Sequence, residues 1–157
     1  YFAAAVGEVN VTTKMKECGA LIGGEGNGGV IYPALHYGRD AMVGVALFLT
    51  NLAHKQMKVS QLLKTYPQYV ITKNRIDLSD KALIDKILSE MQKIYADENV
   101  NTIDGVKISF EDKKQWVHLR RSNTEPIIRI YAEAATKEEA DALANEVIGI
   151  AQKIIGQ

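Results

Sequence analysis

The sequence predicts an α+β protein built as two units, and three observations carry that expectation. Val106, Ile108 and Phe110 alternate with polar residues, the period of a half-buried strand. Leu83, Ile84, Ile87, Leu88, Met91 and Ile94 recur at helical spacing on one stripe. Between the halves, residues 57–69 keep no clear period. We place a linker at 59–69, between one unit at 1–58 and a second at 70–157.

Taken in order, residues 9–18 form a short helix carrying Met15. Ala20–Ile22 is a short apolar strand running into a glycine loop, while Val30–Tyr32 is too short to classify alone. Asp40 caps a helix over about 41–56, in which Met42, Val45, Ala46 and Leu49 keep helical spacing. That helix is apolar on both faces, which predicts burial on several sides. In the second unit, Tyr69–Ile76 is a strand, and Ser79 and Asp80 open a helix to about Tyr95. Strands follow over 106–110, 116–120 and 127–134. Thr136-x-x-Glu139 is a capping box that opens a last helix burying Leu143, Val147, Ile148, Ala151 and Ile155. The order β-α-β-β-β-α puts helices on one face of a sheet.

Composition excludes some functions. Nineteen basic residues balance nineteen acidic ones, so a general polyanion-binding surface is not expected and an anion site must be local. Cys18 is the only cysteine, which excludes an internal disulfide and makes a reducing, cytoplasmic setting the default. The longest apolar run, Ala41–Leu49, falls far short of the roughly 20 residues of a membrane span. The chain begins Tyr-Phe-Ala without a methionine, and a fragment of a longer protein is expected.

Two loops carry chemistry. The first, "LIGGEGNGGVIYP", formally matches the dinucleotide fingerprint G-x-G-x-x-G through Gly24, Gly26 and Gly29. That fingerprint needs a helix directly after its glycines, to face the pyrophosphate with its N-terminus. Here Val30-Ile31-Tyr32-Pro33 follows, Glu25 would repel phosphate, and no Gly-Lys-Ser/Thr is present. Glu25 and Asn27 suit the hydroxyls of a neutral polyol, against a tight turn with Glu25 merely solvated. The second loop, "HLRRSNTEPIIR", holds three arginines in ten residues between two strands. An arginine fork grips phosphate bidentately, and Ser122, Asn123 and Thr124 add neutral donors. The alternative is a surface turn in which Arg120 and Arg121 pair with Glu125 or Glu133.

Together, "GGEGNGG" and, about ninety residues on, "DGVKISFEDKKQWVHLRRSNTEP" make the chain resemble the α-D-phosphohexomutases over nearly its whole length. That family comprises phosphoglucomutase, phosphomannomutase and phosphoglucosamine mutase. The resemblance implies the end of a third, α/β domain and all of a fourth domain. The fourth is a TATA-binding-protein-like antiparallel sheet with two helices on one face. It implies that Glu25 and Asn27 contact the sugar. It implies that Arg120, Ser122, Asn123 and Thr124 hold the phosphate not being transferred. Arg121 falls at the variable position of the motif. The implied reaction interconverts hexose 1-phosphate and 6-phosphate through a phosphoserine and a bisphosphorylated sugar, with a Mg²⁺ ion at the transferring group.

The chain departs from the family where Asn27 and Gly29 replace serine and histidine of many relatives, and where Ala5 stands at a lysine position. That histidine is thought to assist the chemistry. The family's serine loop and its aspartate metal loop are absent from the sequence. The implied partners are a phosphorylated hexose and the remaining domains of the same protein, with no catalytic residue or metal ligand here and no nucleic acid or membrane partner. The competing reading is a stand-alone α+β RNA- or anion-binding module. Neutral charge and only eleven aromatic residues argue against it.

Overall fold

The computed structural model describes residues 1–78, 80–122 and 124–156. The chain divides into two compact units, Tyr1–Pro67 and Gln68–Gln157.

The first unit opens with helix α1, Glu8–Cys18, which ends at Gly19 in the left-handed conformation. Strands β1 (Gly23–Gly24), β2 (Val30–Tyr32) and β3 (His36–Arg39) form an antiparallel sheet in the order β1-β2-β3. Helix α2, Ala41–Lys55, starts where the Asp40 carboxylate accepts a hydrogen bond from the Val43 N–H at 3.0 Å. A short helix α3, Val59–Leu63, follows within the stretch read as a linker, and Leu62 on it is buried. Its carbonyls and a Thr65 hydroxyl bond close that turn, a local pattern that a weak apolar period does not reveal.

Two expectations for this unit are corrected. Ala20–Ile22 is not a strand; Leu21 is 85% exposed, and pairing begins at Gly23, opposite Ile31. The glycines fix the start of pairing, because a Cβ on Gly24 would meet the Gly29 carbonyl oxygen at 2.3 Å. Nor is α2 buried on several sides: it has no buried residue, and Met42, Val45, Phe48 and Leu49 are exposed. Its main neighbour in this unit is β2, where Gly44 lies close to the Val30 side chain. Three short strands cannot cover both faces of a fifteen-residue helix.

In the second unit β4 is Val70–Asp77 and α4 is Lys81–Ile94, capped by Asp80, which accepts from the Ala82 N–H at 2.9 Å. Strands β5 (Asn99–Asn101), β6 (Val106–Phe110), β7 (Gln115–Arg121) and β8 (Ile127–Ala134) follow. Helix α5, Lys137–Ile155, opens with the expected capping box of Thr136 and Glu139. The sheet order β4-β8-β7-β6-β5 is antiparallel throughout.

Alternation sorts the strand side chains. Ile76, Ile108, Val117, Leu119, Ile128 and Ile130 face α4 and α5 and join Ile87, Met91 and Val147 in one core. The opposite face, which neither α4 nor α5 covers, carries Arg120, His118 and Trp116 from β7 and Arg129 and Tyr131 from β8. Sequence reading missed β5, whose flanking asparagines hide its one apolar residue, Val100. On α5 the buried residue near the end is Ile154, with Ile155 only half-buried, and Ile94 at the end of α4 is exposed.

Candidate functional site

The glycine loop is the tip of the β1–β2 hairpin. The Gly28 N–H donates to the Glu25 carbonyl at 3.1 Å, and the Glu25 N–H donates to the Gly29 carbonyl at 3.2 Å. Gly28 has φ +93°, a conformation that needs glycine. A hairpin has no helix N-terminus directly behind its glycines, so the geometry of a dinucleotide loop is absent here.

Within this hairpin both candidate sugar-reading residues are partly committed. Glu25 is half-exposed, and its Oε1 accepts from the Gly7 N–H at 3.1 Å, tying the hairpin to the start of α1. A carboxylate suits that helix terminus, where unpaired N–H groups concentrate positive potential. Its second oxygen remains available as an acceptor by the ordinary inventory of a carboxylate. Asn27 is exposed, and its Oδ1 accepts from the Gly29 N–H at 3.0 Å, which turns the amide so that its NH₂ is the group left to donate.

The arginine loop joins β7 to β8. The Ser122 N–H donates to the Ile127 carbonyl at 3.0 Å, closing the loop. The Ser122 hydroxyl accepts from the backbone N–H groups of Thr124 and Glu125 at 3.4 and 3.3 Å. These bonds are long for N–H to oxygen, so a stronger acceptor such as phosphate can take over both donors. Asn123 lies outside the described residues.

The two adjacent arginines point to opposite faces of the sheet. Arg120 projects on the face away from the helices, where its Nε donates to Asp104 Oδ2 at 2.8 Å, both side chains being only about a quarter exposed. Arg121 projects on the other side, where it pairs with Asp85 of α4. Neither pairs with Glu125 or Glu133, the partners expected for a plain surface turn. Glu125 sits 3.8 Å from Arg129, and Glu133 accepts from the Trp116 indole N–H at 2.8 Å. Pairing from strand to strand is the reason: Glu133 lies opposite Trp116, four residues from Arg120.

Asp104 and Arg75 escaped sequence reading. Asp104 holds Arg120, and its carbonyl also accepts from His118. The Asp104-Gly105 dipeptide, with Gly105 at φ +79°, was the available turn signal. Arg129 lies directly across from Arg120 in the β7–β8 register, and Arg75 lies across from Arg129. Such a row is invisible until strand pairing is known.

Among the described residues no three His, Cys, Asp or Glu side chains gather to hold a metal ion. No described helix is long and apolar enough to cross a membrane.

Comparison with known proteins agrees with the two-loop pattern. Residues 1–69 match the family model of phosphoglucomutase/phosphomannomutase, alpha/beta/alpha domain III, and residues 74–150 match that of the C-terminal domain. A phosphoglucosamine/phosphogalactosamine mutase of Sulfurisphaera tokodaii is 38% identical over 90% of this chain and 31% of its own length. A phosphoglucomutase/phosphomannomutase of Thermococcus kodakarensis is 38% identical over 86% of this chain and 29% of its own length. Among solved structures, a phosphoglucomutase/phosphomannomutase family protein of Burkholderia thailandensis superposes with a TM-score of 0.71 at 28% identity, over 94% of this chain and 31% of that one. The chain thus spans about a third of the length of the curated relatives it matches. The matches run through both units, in the order that the glycine and arginine loops predict, and the chain belongs to the phosphoglucomutase/phosphomannomutase family.

Proposed function

We propose that this chain is the C-terminal, substrate-binding part of a phosphohexose mutase that interconverts the 1- and 6-phosphates of glucosamine, glucose or mannose. The observation that carries the proposal is Arg120. Its guanidinium is fixed by Asp104 on the face of the sheet away from α4 and α5, next to loop donors that are only loosely engaged. The loop offers a fork, the Ser122 and Thr124 hydroxyls and backbone N–H groups, which together match a phosphate monoester. In this reading Asn123 adds a further donor, Arg121 stays outside the site, and Glu25 and Asn27 read sugar hydroxyls.

The reaction fits that division. A phosphoserine supplied by another domain of the protein donates its phosphoryl group to the free hydroxyl of a hexose monophosphate. The sugar then carries two phosphates, turns over, and returns the other one to the serine. A clamp that holds whichever phosphate is idle serves both half-reactions. Phosphoryl transfer is catalysed mainly by positioning and charge stabilisation, so a binding domain contributes directly to rate. The magnesium ion of such an enzyme would take its ligands outside this chain, which by itself should bind and not turn over. The names carried by the matched relatives favour this reading over a stand-alone RNA- or anion-binding module.

The test is a coupled mutase assay on the whole protein and on residues 1–157 alone, with glucosamine 6-phosphate, glucose 1-phosphate and mannose 1-phosphate. Turnover of at least one substrate by the whole protein and background by the chain alone is expected. No turnover of any hexose phosphate by the whole protein would refute the reading.

A further inference from the structure

Gly29 has a neighbour where its side chain would be. A Cβ built there would lie 2.8 Å from Cδ of Arg39 and 3.3 Å from Oδ1 of Asn27. Arg39 ends β3, and it is held from one side: its backbone N–H donates to Glu8 Oε1 at 3.1 Å and its Nε to Glu8 Oε2 at 2.7 Å. This double contact keeps the Glu8 carboxyl below its ordinary range, the backbone bond being the larger cause. The two Nη groups of the fork carry four further N–H donors. Around them lies a concave surface of about 630 Å³ lined by Glu8, Asn27, Gly28, Gly29, Arg39 and Asp40, among others.

Charge narrows the ligand. Arg39 is neutralised by Glu8, and the nearby Asp40 is a carboxylate that caps α2 and bonds His36 at 3.0 Å. A cleft with one compensated cation and a second carboxylate does not favour a phosphate dianion. It does favour neutral oxygen acceptors within reach of the Arg39 Nη and Asn27 NH₂ donors.

We propose that Arg39 is a further substrate-binding residue, donating from its guanidinium to hydroxyl oxygens of the hexose beside Asn27. The proposal rests on the mutase reading and adds to it a residue that the hairpin sequence does not contain. Gly29 is then required small so that Arg39 can cross the hairpin, and Glu8 positions Arg39 without touching the sugar.

The experiment uses the whole mutase, three single variants and the Gly29→Ala, Arg39→Ala double variant. Arg39→Ala should lower kcat/KM about tenfold, the scale of one charge-assisted hydrogen bond. Arg39→Lys, which can still pair with Glu8, should recover part of that loss. Gly29→Ala should lower kcat/KM when Arg39 is present and have little further effect in Arg39→Ala, since it acts by displacing that side chain. The inhibition constant of inorganic phosphate should be the same in Arg39→Ala as in the unmodified enzyme. An unchanged kcat/KM in Arg39→Ala overturns the proposal, as does a full Gly29→Ala effect in the Arg39→Ala background. A weakened phosphate inhibition constant overturns the hydroxyl assignment. Should Arg39→Ala fail to fold, Arg39→Lys and Gly29→Ala carry the same test. Loss of the mutase reading itself looks different: the unmodified whole protein would then turn over no hexose phosphate, whereas failure of the Arg39 proposal leaves an active mutase whose kcat/KM the Arg39→Ala change does not lower.

Discussion

Replacing Arg120 by alanine removes two separable things, and the structure gives each a size. One is the pair with Asp104, at 2.8 Å with both side chains about a quarter exposed. Exposed pairs contribute about 0–1 kcal/mol and fully buried ones cost about 3–5 kcal/mol when broken, so a loss near ~1 kcal/mol is expected for this intermediate case. For the second unit that corresponds to a drop in Tm of about 4–8 °C. The other is the charge-assisted grip on phosphate, about 1.5–3 kcal/mol, or a KM raised roughly ten- to a hundred-fold in the whole enzyme. Asp104→Asn separates the two: it weakens the pair and keeps the guanidinium, so it should reproduce much of the Tm loss with a smaller rise in KM. Arg120→Lys should restore only part of the binding, since it keeps the charge and loses the fork. Arg121→Ala should leave KM nearly unchanged, because that side chain lies on the helix side with Asp85. Steady-state kinetics and thermal unfolding on the same preparations decide the matter. If Arg120→Ala leaves KM unchanged while Arg121→Ala raises it, the residue assignment is wrong. If neither changes it, the phosphate clamp is refuted.

Gly105→Ala should destabilise the second unit by at least about 1–2 kcal/mol, the cost of a left-handed L-residue, because Gly105 sits at φ +79° and a Cβ there would meet the Leu119 carbonyl oxygen at 2.2 Å. A urea midpoint equal to that of the unmodified chain would contradict it. Tyr95 is raised from 10 to about 12, chiefly by burial and then by the Glu146 carboxylate that accepts its hydroxyl proton at 3.1 Å. Its stabilising contribution is therefore complete below about pH 10 and lost as pH rises through about 12. Tyr95→Phe should flatten stability against pH in that window, and the phenolate absorbance removed by the variant should titrate near pH 12. In limited proteolysis of the 157-residue chain, the first cut should fall in 64–69, between α3 and β4, leaving a resistant piece from about residue 70. The first unit buries only Met15, Ile31 and Leu62 among its large apolar side chains, against the continuous core of the second. Initial cleavage within 106–134 would contradict this.

By itself the sequence determined the elements whose signals are local. The Thr136–Glu139 capping box, the Asp40 cap and the alternation at Val106, Ile108 and Phe110 are each contained within a few residues, and each stands in the structure as read; the helix start read at Ser79 and Asp80 falls on Asp80, which caps it, while Ser79 lies outside the described residues. The same holds for the order of the two loops, which sufficed to point to the family. Tertiary structure alone decided what depends on pairing between distant segments. Strand register set Arg129 across from Arg120, and the fold brought Asp104 to the guanidinium. Glu25 reaches Gly7 across eighteen positions, and Arg39 reaches Glu8 across thirty-one, so neither contact leaves a trace in any short window. The glycine loop shows the division most plainly. The residues after its glycines, together with Glu25, argued against a dinucleotide cradle, yet only the folded hairpin showed what stands beside Gly29: Arg39, supplied by a different strand, lies within 2.8 Å of where a Cβ would be.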